Sequence, residues 1–292
     1  MPAPGRSPLT SVSDTGTESS RSPVGIVAGG GLLPGLVAEA CRSGGRPYFL
    51  LALAGQADQS GSGVEPDAWV RLGASEELLG ILRDAAIETV VLAGHVRRPS
   101  LAELRPDARA LRVLARAARF ALGDDGLLRA IVDEFEREGF QIVGADSLVN
   151  ELLAPPGLWS KSEPDEQDRI DITRGAAVAR ALGAVDVGQA VVVQGGHVLA
   201  VEASEGTAAM VRRAGQQRRA GNGGVLVKVA KPGQERRVDL PTIGPDTVAD
   251  VAAAGLAGIA VEAGSVLVIR RKEVIRLADA HGLFLLGCRV DD

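Results

Sequence analysis

The stretch VGIVAGGGLLPG, residues Val24 to Gly35, indicates the fold of the first half of the chain. Val24 to Ala28 is a short apolar run of β type, and a glycine-rich turn follows it. Pro34 suits the first turn of a helix, because the N–H that proline lacks has no partner there. The order of strand, glycine turn and helix is typical of an α/β unit whose backbone amides can hold a phosphate.

This turn does not carry the sequence of a known nucleotide loop. Pro34 stands where the third glycine of a dinucleotide fingerprint belongs, and no Gly-Lys-Ser/Thr sequence ends the turn. Two interpretations therefore stay open. Either Gly29, Gly30 and Gly31 lie against a ligand other than NAD, which we favour, or they form a tight turn without a ligand.

The alternation of strands and helices continues to about residue 143, which predicts a parallel sheet with helices on both faces. The further strands of this domain are predicted at 48–53, 89–93 and 140–143. Its further helices are predicted at 76–85, 111–122 and 127–138, and the last opens at GDD, where acids are favourable. We place an N-terminal domain of this class at 23–154.

Prolines and polar residues interrupt the pattern at 155–167, which we interpret as a linker. Beyond it, helices are predicted at about 170–182, 207–218, from 247 and at 272–281. They mix with a hairpin at 190–202, two strands around Gly264 and a last strand at 283–286. We therefore expect an α/β C-terminal domain with a mixed sheet at 168–292.

Composition excludes several classes of protein. The formal charge of −5 argues against general nucleic-acid binding. No apolar run approaches the ~20 residues that span a bilayer. Residues 1–22 lack the apolar region of a secretory signal and are expected to be disordered and dispensable. The two cysteines are expected to be reduced core thiols, and we expect a cytoplasmic protein.

The segment GGVLVKVAKPGQERRVDLPTIG, 223–244, carries the strongest chemical signal. We predict a strand with Lys228 and Lys231 on its polar side, then a turn, then Asp239 at a strand end that Pro241 closes. A carboxylate beside two lysines and two arginines suits a site that handles phosphate with a metal ion. The alternative is a solvated hairpin whose charges pair with each other, and the residues alone do not decide between the two.

The three histidines, His95, His197 and His281, are dispersed and lack metal-ligand spacing. Any metal site must then use oxygen ligands, which favours Mg²⁺, with Mn²⁺ as a substitute. Glu202 and Glu205 flank a predicted strand-to-helix transition and could join the site of Asp239. Glu205 taken alone is better explained as an acid in the first turn of a helix.

Several segments together resemble one family, the LpxI-type UDP-2,3-diacylglucosamine pyrophosphatases of lipid A biosynthesis. The likeness runs in order from about residue 24 to residue 287. Its most specific parts are RVDLPTIG and GLAGIAVEAG. The other matching segments are IVAGGGLLP, AGHVRRP, GDDGLLR, DEFEREGF, DVGQAVVV, LAVEASEGTAAMVRR and the preceding KVAKPGQER.

The resemblance implies a Rossmann-like N-terminal domain. It also implies Mg²⁺-dependent hydrolysis of UDP-2,3-diacylglucosamine to UMP and 2,3-diacylglucosamine 1-phosphate. It assigns catalysis to Asp239, which would hold the metal with Glu202 or Glu205. Lys228, Lys231 and Arg237 would stabilise charge on phosphate. The residues expected at the substrate are Gly29, Gly30, Gly31, His95, Arg97, Thr207 and Thr242. The partner is an amphiphilic nucleotide-sugar lipid, drawn from the inner leaflet with peripheral membrane contact at most, and a homo-oligomer stays open.

One position departs from the family, which usually has EGTDAM where this chain has Ala208. We favour a capping role for the missing acid, which would leave the activity intact. Two rival functions stay open. One is a nucleotide-sugar oxidoreductase, which NAD(P)H binding would reveal. The other is a nucleotide- or lipid-binding regulator without turnover.

Overall fold

The computed structural model describes residues 22–57, 63–97, 100–117, 124–221 and 223–289. Within these ranges the chain forms two α/β units, each built on its own sheet. The predicted α/β class, with one parallel and one mixed sheet, is confirmed. The predicted tail lies outside the described residues except for Ser22, whose carbonyl accepts a hydrogen bond from Arg46.

The N-terminal unit has five parallel strands in the order β3-β2-β1-β4-β5. Its strands are β1 Val24–Ala28, β2 Tyr48–Ala54, β3 Ala68–Arg71, β4 Thr89–Ala93 and β5 Gln141–Ile142. Its helices are α1 Leu33–Ser43, α2 Ser75–Asp84, α3 Leu101–Leu104, α4 Ala108–Ala117 and α5 Asp124–Arg137. The order of the strands reverses between β1 and β4, so a crevice opens at their carboxyl ends.

The C-terminal unit has six strands in the order β6-β13-β11-β9-β7-β8. Its strands are β6 Gly157–Leu158, β7 Ala190–Gln194, β8 His197–Val201, β9 Val225–Lys228, β11 Gly258–Glu262 and β13 Phe284–Cys288. A small separate pair consists of β10 Thr242–Ile243 and β12 Leu267–Val268. The helices are α6 Glu166–Ala184, α7 Gly206–Gln217, α8 Pro245–Ala253 and α9 Arg271–His281.

Strands β9, β11 and β13 are parallel, while β7 and β6 run antiparallel to their neighbours. Both faces of β9 are buried, because Leu226 packs into one core cluster and Val225 and Val227 into another. Part of the predicted linker belongs to this unit. Its residues 157–158 pair with β13, and the hydroxyl of Ser160 accepts a hydrogen bond from the amide of Leu285.

The structure adds one strand to the predicted elements and removes another. Strand β3 was not predicted, because this short edge strand, AWVR, leaves Trp69 exposed and shows little apolar alternation. The predicted strand or hairpin running to Asp239 is wrong: β9 ends at Lys228, and residues 229–241 form an irregular loop with two turns. Separately, none of the helices in the described ranges is both long and apolar enough to cross a membrane.

Candidate active site

The carboxyl end of β9 carries a buried cation, Lys228, which is only 6% exposed. The prediction that it lies on a polar face is wrong, because β9 is a central strand covered on both sides. Its ammonium donates to Thr207 Oγ1 at 2.9 Å and to the carbonyl of Thr242 at 3.1 Å. Two residues expected at the substrate, Thr207 and Thr242, thus lie directly against this lysine.

Glu202 completes this buried group. Its carboxylate accepts hydrogen bonds from the hydroxyl of Thr207 and from the amide of Gln189, at 2.5 and 3.2 Å. Burial lowers the pKa of Lys228, and the charges of Glu202 and Asp239 oppose that shift. The hydrogen bonds to Thr207 and Thr242 hold the ammonium in a fixed position, and a fixed donor of this kind suits a phosphate site.

Loop 229–241 carries Asp239. Its amide donates to the carbonyl of Glu235 at 3.1 Å, and its carboxylate accepts from Gln234 Nε2 at 2.6 Å. Gln234 is itself buried, and its side-chain oxygen accepts from the amide of Lys231 at 3.1 Å. These bonds close a compact turn, so the carboxylate of Asp239 is held in place even though no strand supports it.

Lys231 binds a second acid, Asp186. Its ammonium lies 2.6 Å from Asp186 Oδ1, and this contact with the charges of Asp125 and Asp239 raises the pKa of Lys231 although burial opposes the rise. Asp186 follows α6 with a φ of 54°, a left-handed conformation that glycine usually fills at a helix end. Aspartate tolerates this conformation better than most residues. The carboxylate at this position gives a reason for the exception.

A third acid, Asp125, reaches this group from the N-terminal unit at the start of α5. Its amide approaches Asp186 Oδ2 at 3.4 Å, and its own Oδ1 is buried without a hydrogen-bond partner. Burial raises the pKa of Asp125, as do the nearby charges of Asp186 and Asp239, while Lys231 opposes the rise. Carboxylates from both units therefore converge beside one lysine.

Sequence reasoning interpreted Asp125 only as a helix N-terminal acid and assigned no role to Asp186. Both lie in segments quoted for the family resemblance, GDDGLLR and DVGQAVVV. The sequence does contain one signal for a role of Asp125. Two consecutive acids, Asp124 and Asp125, stand at the start of one helix, and capping needs only one of them. Their meeting could not be derived from spacing, since 61 positions separate the two residues.

Two further residues predicted for the site, Glu205 and Arg237, have their charges paired with other side chains. Glu205 lies at the surface and pairs with Arg213. Arg237 is held between two carboxylates, 2.8 Å from Glu235 and 2.5 Å from Glu136. Its charge is thus already paired within the protein. Ala208 is exposed in the first turn of α7, where an acid would act on the helix dipole.

The glycine turn lies at the crevice between β1 and β4. The amides of Gly29 and Gly30 donate to the carbonyls of Ala93 and His95, both at 2.8 Å, and the amide of His95 donates back to Gly30. A Cβ on Gly30 would lie 2.6 Å from the imidazole of His95. These two glycines therefore serve the close approach of the turn to His95, and their amides are not free to hold a phosphate.

Arg97 lies beyond His95. Its amide donates to the side-chain oxygen of Gln56, and its guanidinium is largely exposed, 3.7 Å from Glu103. Gly31 has a φ of 88°, which only glycine adopts without strain. This group of residues lies where a doubly wound sheet normally receives a ligand.

Within the described ranges, no three acidic, histidine or cysteine side chains stand in an arrangement ready for a metal ion. A weaker donor set is nevertheless present. Asp125 offers a buried oxygen without a partner, and Asp239 lies close enough to affect its pKa. One or two carboxylates, completed by waters and substrate phosphates, are the usual protein contribution to a Mg²⁺ site. These residues fit that kind of ion.

Comparisons with known proteins agree with this two-unit structure. The LpxI N-terminal domain matches residues 23–152, and the LpxI C-terminal domain matches residues 155–286. The chain is 46% identical over 273 residues to the UDP-2,3-diacylglucosamine pyrophosphatase LpxI of Caulobacter vibrioides, covering 90% of this chain and 96% of that protein. Both halves of the chain and their order are thus shared, and the protein belongs to the LpxI family.

Proposed function

We propose that the protein hydrolyses the diphosphate of UDP-2,3-diacylglucosamine, releasing UMP and 2,3-diacylglucosamine 1-phosphate in lipid A biosynthesis. One water is consumed and one P–O–P bond is broken. The observation that carries the proposal is the convergence of Asp125, Asp186 and Asp239 around Lys231 where the two units meet. The relative from Caulobacter vibrioides bears the name of this activity.

In the proposed mechanism the substrate spans both units. The nucleotide lies in the crevice at the carboxyl ends of β1 and β4, and the diphosphate lies against Lys231 and Asp239. Lys231 stabilises charge that develops on the phosphate oxygens, and buried Lys228 adds to the positive field from behind. Asp239, fixed by Gln234, orients the attacking water.

The reaction is proposed to depend on Mg²⁺, with Mn²⁺ able to replace it. Asp125 and Asp239 would hold the ion, which when bound would neutralise diphosphate charge and polarise the P–O bond. The roles of the remaining residues follow from their contacts. Glu202 and Thr207 keep Lys228 in place, and Asp186 orients Lys231. The protein is further proposed to act from the cytoplasm, with peripheral membrane contact.

The decisive experiment incubates the purified protein with UDP-2,3-diacylglucosamine and follows UMP. We expect release of UMP with Mg²⁺ and with Mn²⁺, and a loss of release after treatment with EDTA and buffer exchange. Full turnover without a divalent cation would refute the metal dependence alone. No UMP under any condition would refute the activity and would favour a binding protein.

A further inference from the structure

Helix α5 of the N-terminal unit presents one face to loop 229–241 of the C-terminal unit. Asp125, Arg129, Val132 and Glu136 are spaced four, three and four residues apart, which places them along one side of a helix. Arg129 donates to the carbonyl of Gly233, and Glu136 accepts from Arg237. The loop thus runs along this helix in the same direction, because its earlier residue contacts the earlier helix residue and its later residue the later one.

Val238 lies between Arg237 and the catalytic candidate Asp239. Its side chain is half-buried and packs against the core cluster of the N-terminal unit that contains Val132 and Phe135. A residue of the C-terminal unit thereby packs against the core of the other unit. Loops that carry site residues are positioned by such scaffold contacts, because their own backbone has few regular hydrogen bonds.

The loop also has contacts within its own unit. The amide of Ala230 donates to Glu262 Oε2 at 2.8 Å, next to the end of β9. The turn itself, from Gln234 to Asp239, is closed by its own hydrogen bonds. The turn is attached to its own unit through Arg236, whose guanidinium donates to the carbonyl of Gly264 at 2.9 Å. It is attached to the N-terminal unit through the two neighbours Arg237 and Val238.

We propose that Val238 is a positioning residue for the proposed hydrolysis, because its packing against the N-terminal core helps to set the place of Asp239. The inference rests on the proposed function of Asp239. It gives the N-terminal unit a second task besides binding the nucleotide. Removal of the Val238 side chain frees the turn to shift, and a misplacement of about 1 Å in a catalytic group can cost roughly 10²-fold in rate.

The test compares Val238→Ala with Ile81→Ala, a control in α2. Ile81 is also half-buried against the same core cluster, and its truncation removes more apolar surface. We expect Val238→Ala to lower kcat by about 10-fold or more, with KM changed much less. Ile81→Ala should lower the melting temperature at least as much but leave kcat of the folded protein unchanged. Val238→Ile, which keeps an apolar side chain at this position, should retain most of the wild-type kcat.

Hydrogen exchange supplies a readout that needs no substrate. In Val238→Ala the amides of Val238 and Asp239, which bond to Glu235, should exchange about tenfold faster, whereas Ile81→Ala leaves them protected. Unchanged exchange and unchanged kcat in Val238→Ala would overturn the proposal. If wild-type protein releases no UMP, the proposed function fails while the exchange result still decides the position of the turn. If Val238→Ala does not fold, kcat and amide exchange are measured instead on Val238→Thr, which keeps the shape of the side chain, and the same results are expected.

Discussion

The glycine turn after β1 and loop 229–241 after β9 both follow a buried parallel strand at its carboxyl end. They are held in different ways. The glycine turn is fixed by backbone hydrogen bonds to the neighbouring strand end, from Gly29 and Gly30 to Ala93 and His95. The Asp239 loop is fixed by side chains, several of which contact another unit of the molecule.

The two ways of holding a loop suit different tasks. A turn closed by backbone bonds is rigid and tolerates no added atoms, but it brings few ionisable groups to a substrate. A loop held by Gln234, Arg237 and Val238 can carry a carboxylate and a lysine side by side. We therefore expect the glycine turn to matter for stability and the Asp239 loop to matter for the chemical step.

The largest expected effect is that of Asp239→Asn. The amide can still accept the hydrogen bond from Gln234, so the turn should survive while the charge is lost. We expect kcat to fall by about 10³-fold, or about 4 kcal/mol in activation free energy, with substrate affinity largely kept. Single-turnover kinetics and circular dichroism on the purified variant measure both quantities.

The control for this variant is Asp133→Asn, which alters an exposed acid of α5 that faces Arg137. It should leave both kcat and the melting temperature close to the wild-type values. A folded Asp239→Asn variant with near-normal kcat would remove Asp239 from the mechanism. Attention would then move to Asp125, whose carboxylate lies in the same group.

A smaller effect, of the opposite kind, is expected for Gly30→Ala. The new Cβ would meet His95 at 2.6 Å and the carbonyl of Gln56 at 2.9 Å, so the turn must shift. Overpacking of this kind costs about 2 kcal/mol in the free energy of unfolding. Urea denaturation measures it, and kcat of the folded variant should change far less than in Asp239→Asn.

Gly80→Ala is the matched control. Gly80 lies within α2, and a Cβ there would meet no atom within 4 Å. Alanine is the better helix former, so this variant should be neutral or up to about 1 kcal/mol more stable. If Gly30→Ala were as stable as the wild type but lost its turnover, the glycine turn would take part in the chemistry. The proposed division of roles between the glycine turn and the Asp239 loop would then be wrong.

The same difference explains what the sequence could predict. Glycine, proline and short apolar runs are local signals, so the α/β class and most strands and helices were predicted close to their observed bounds. The burial of Lys228 was not, because a strand covered on both faces shows no alternation between its two sides. The meeting of Asp125 with Asp186 was missed because no local pattern encodes contacts between units.

The smallest expected effect concerns the charge of Glu235, which tests whether ionic contacts or packing hold the loop. Hydrogen bonds from Arg237 lower the pKa of Glu235 below its ordinary value of 4.5, although burial opposes this. Below that value the unfolded chain binds the proton more readily than the folded protein. The pair therefore stabilises the fold fully above the unfolded pKa, and this contribution is lost as the pH falls through the folded pKa.

Glu235→Gln should consequently cost about 0.5 kcal/mol or slightly more in the free energy of unfolding at pH 7, a small value because Arg237 is 40% exposed and screened by water. At pH 3 the difference between wild type and variant should shrink, and at pH 7 high salt should reduce it. Urea denaturation at the two pH values measures the change. An equal difference at both pH values would mean that the Glu235 side chain acts through its shape. In that case packing, with Val238 as its central contact, would hold the Asp239 loop much as backbone bonds hold the glycine turn.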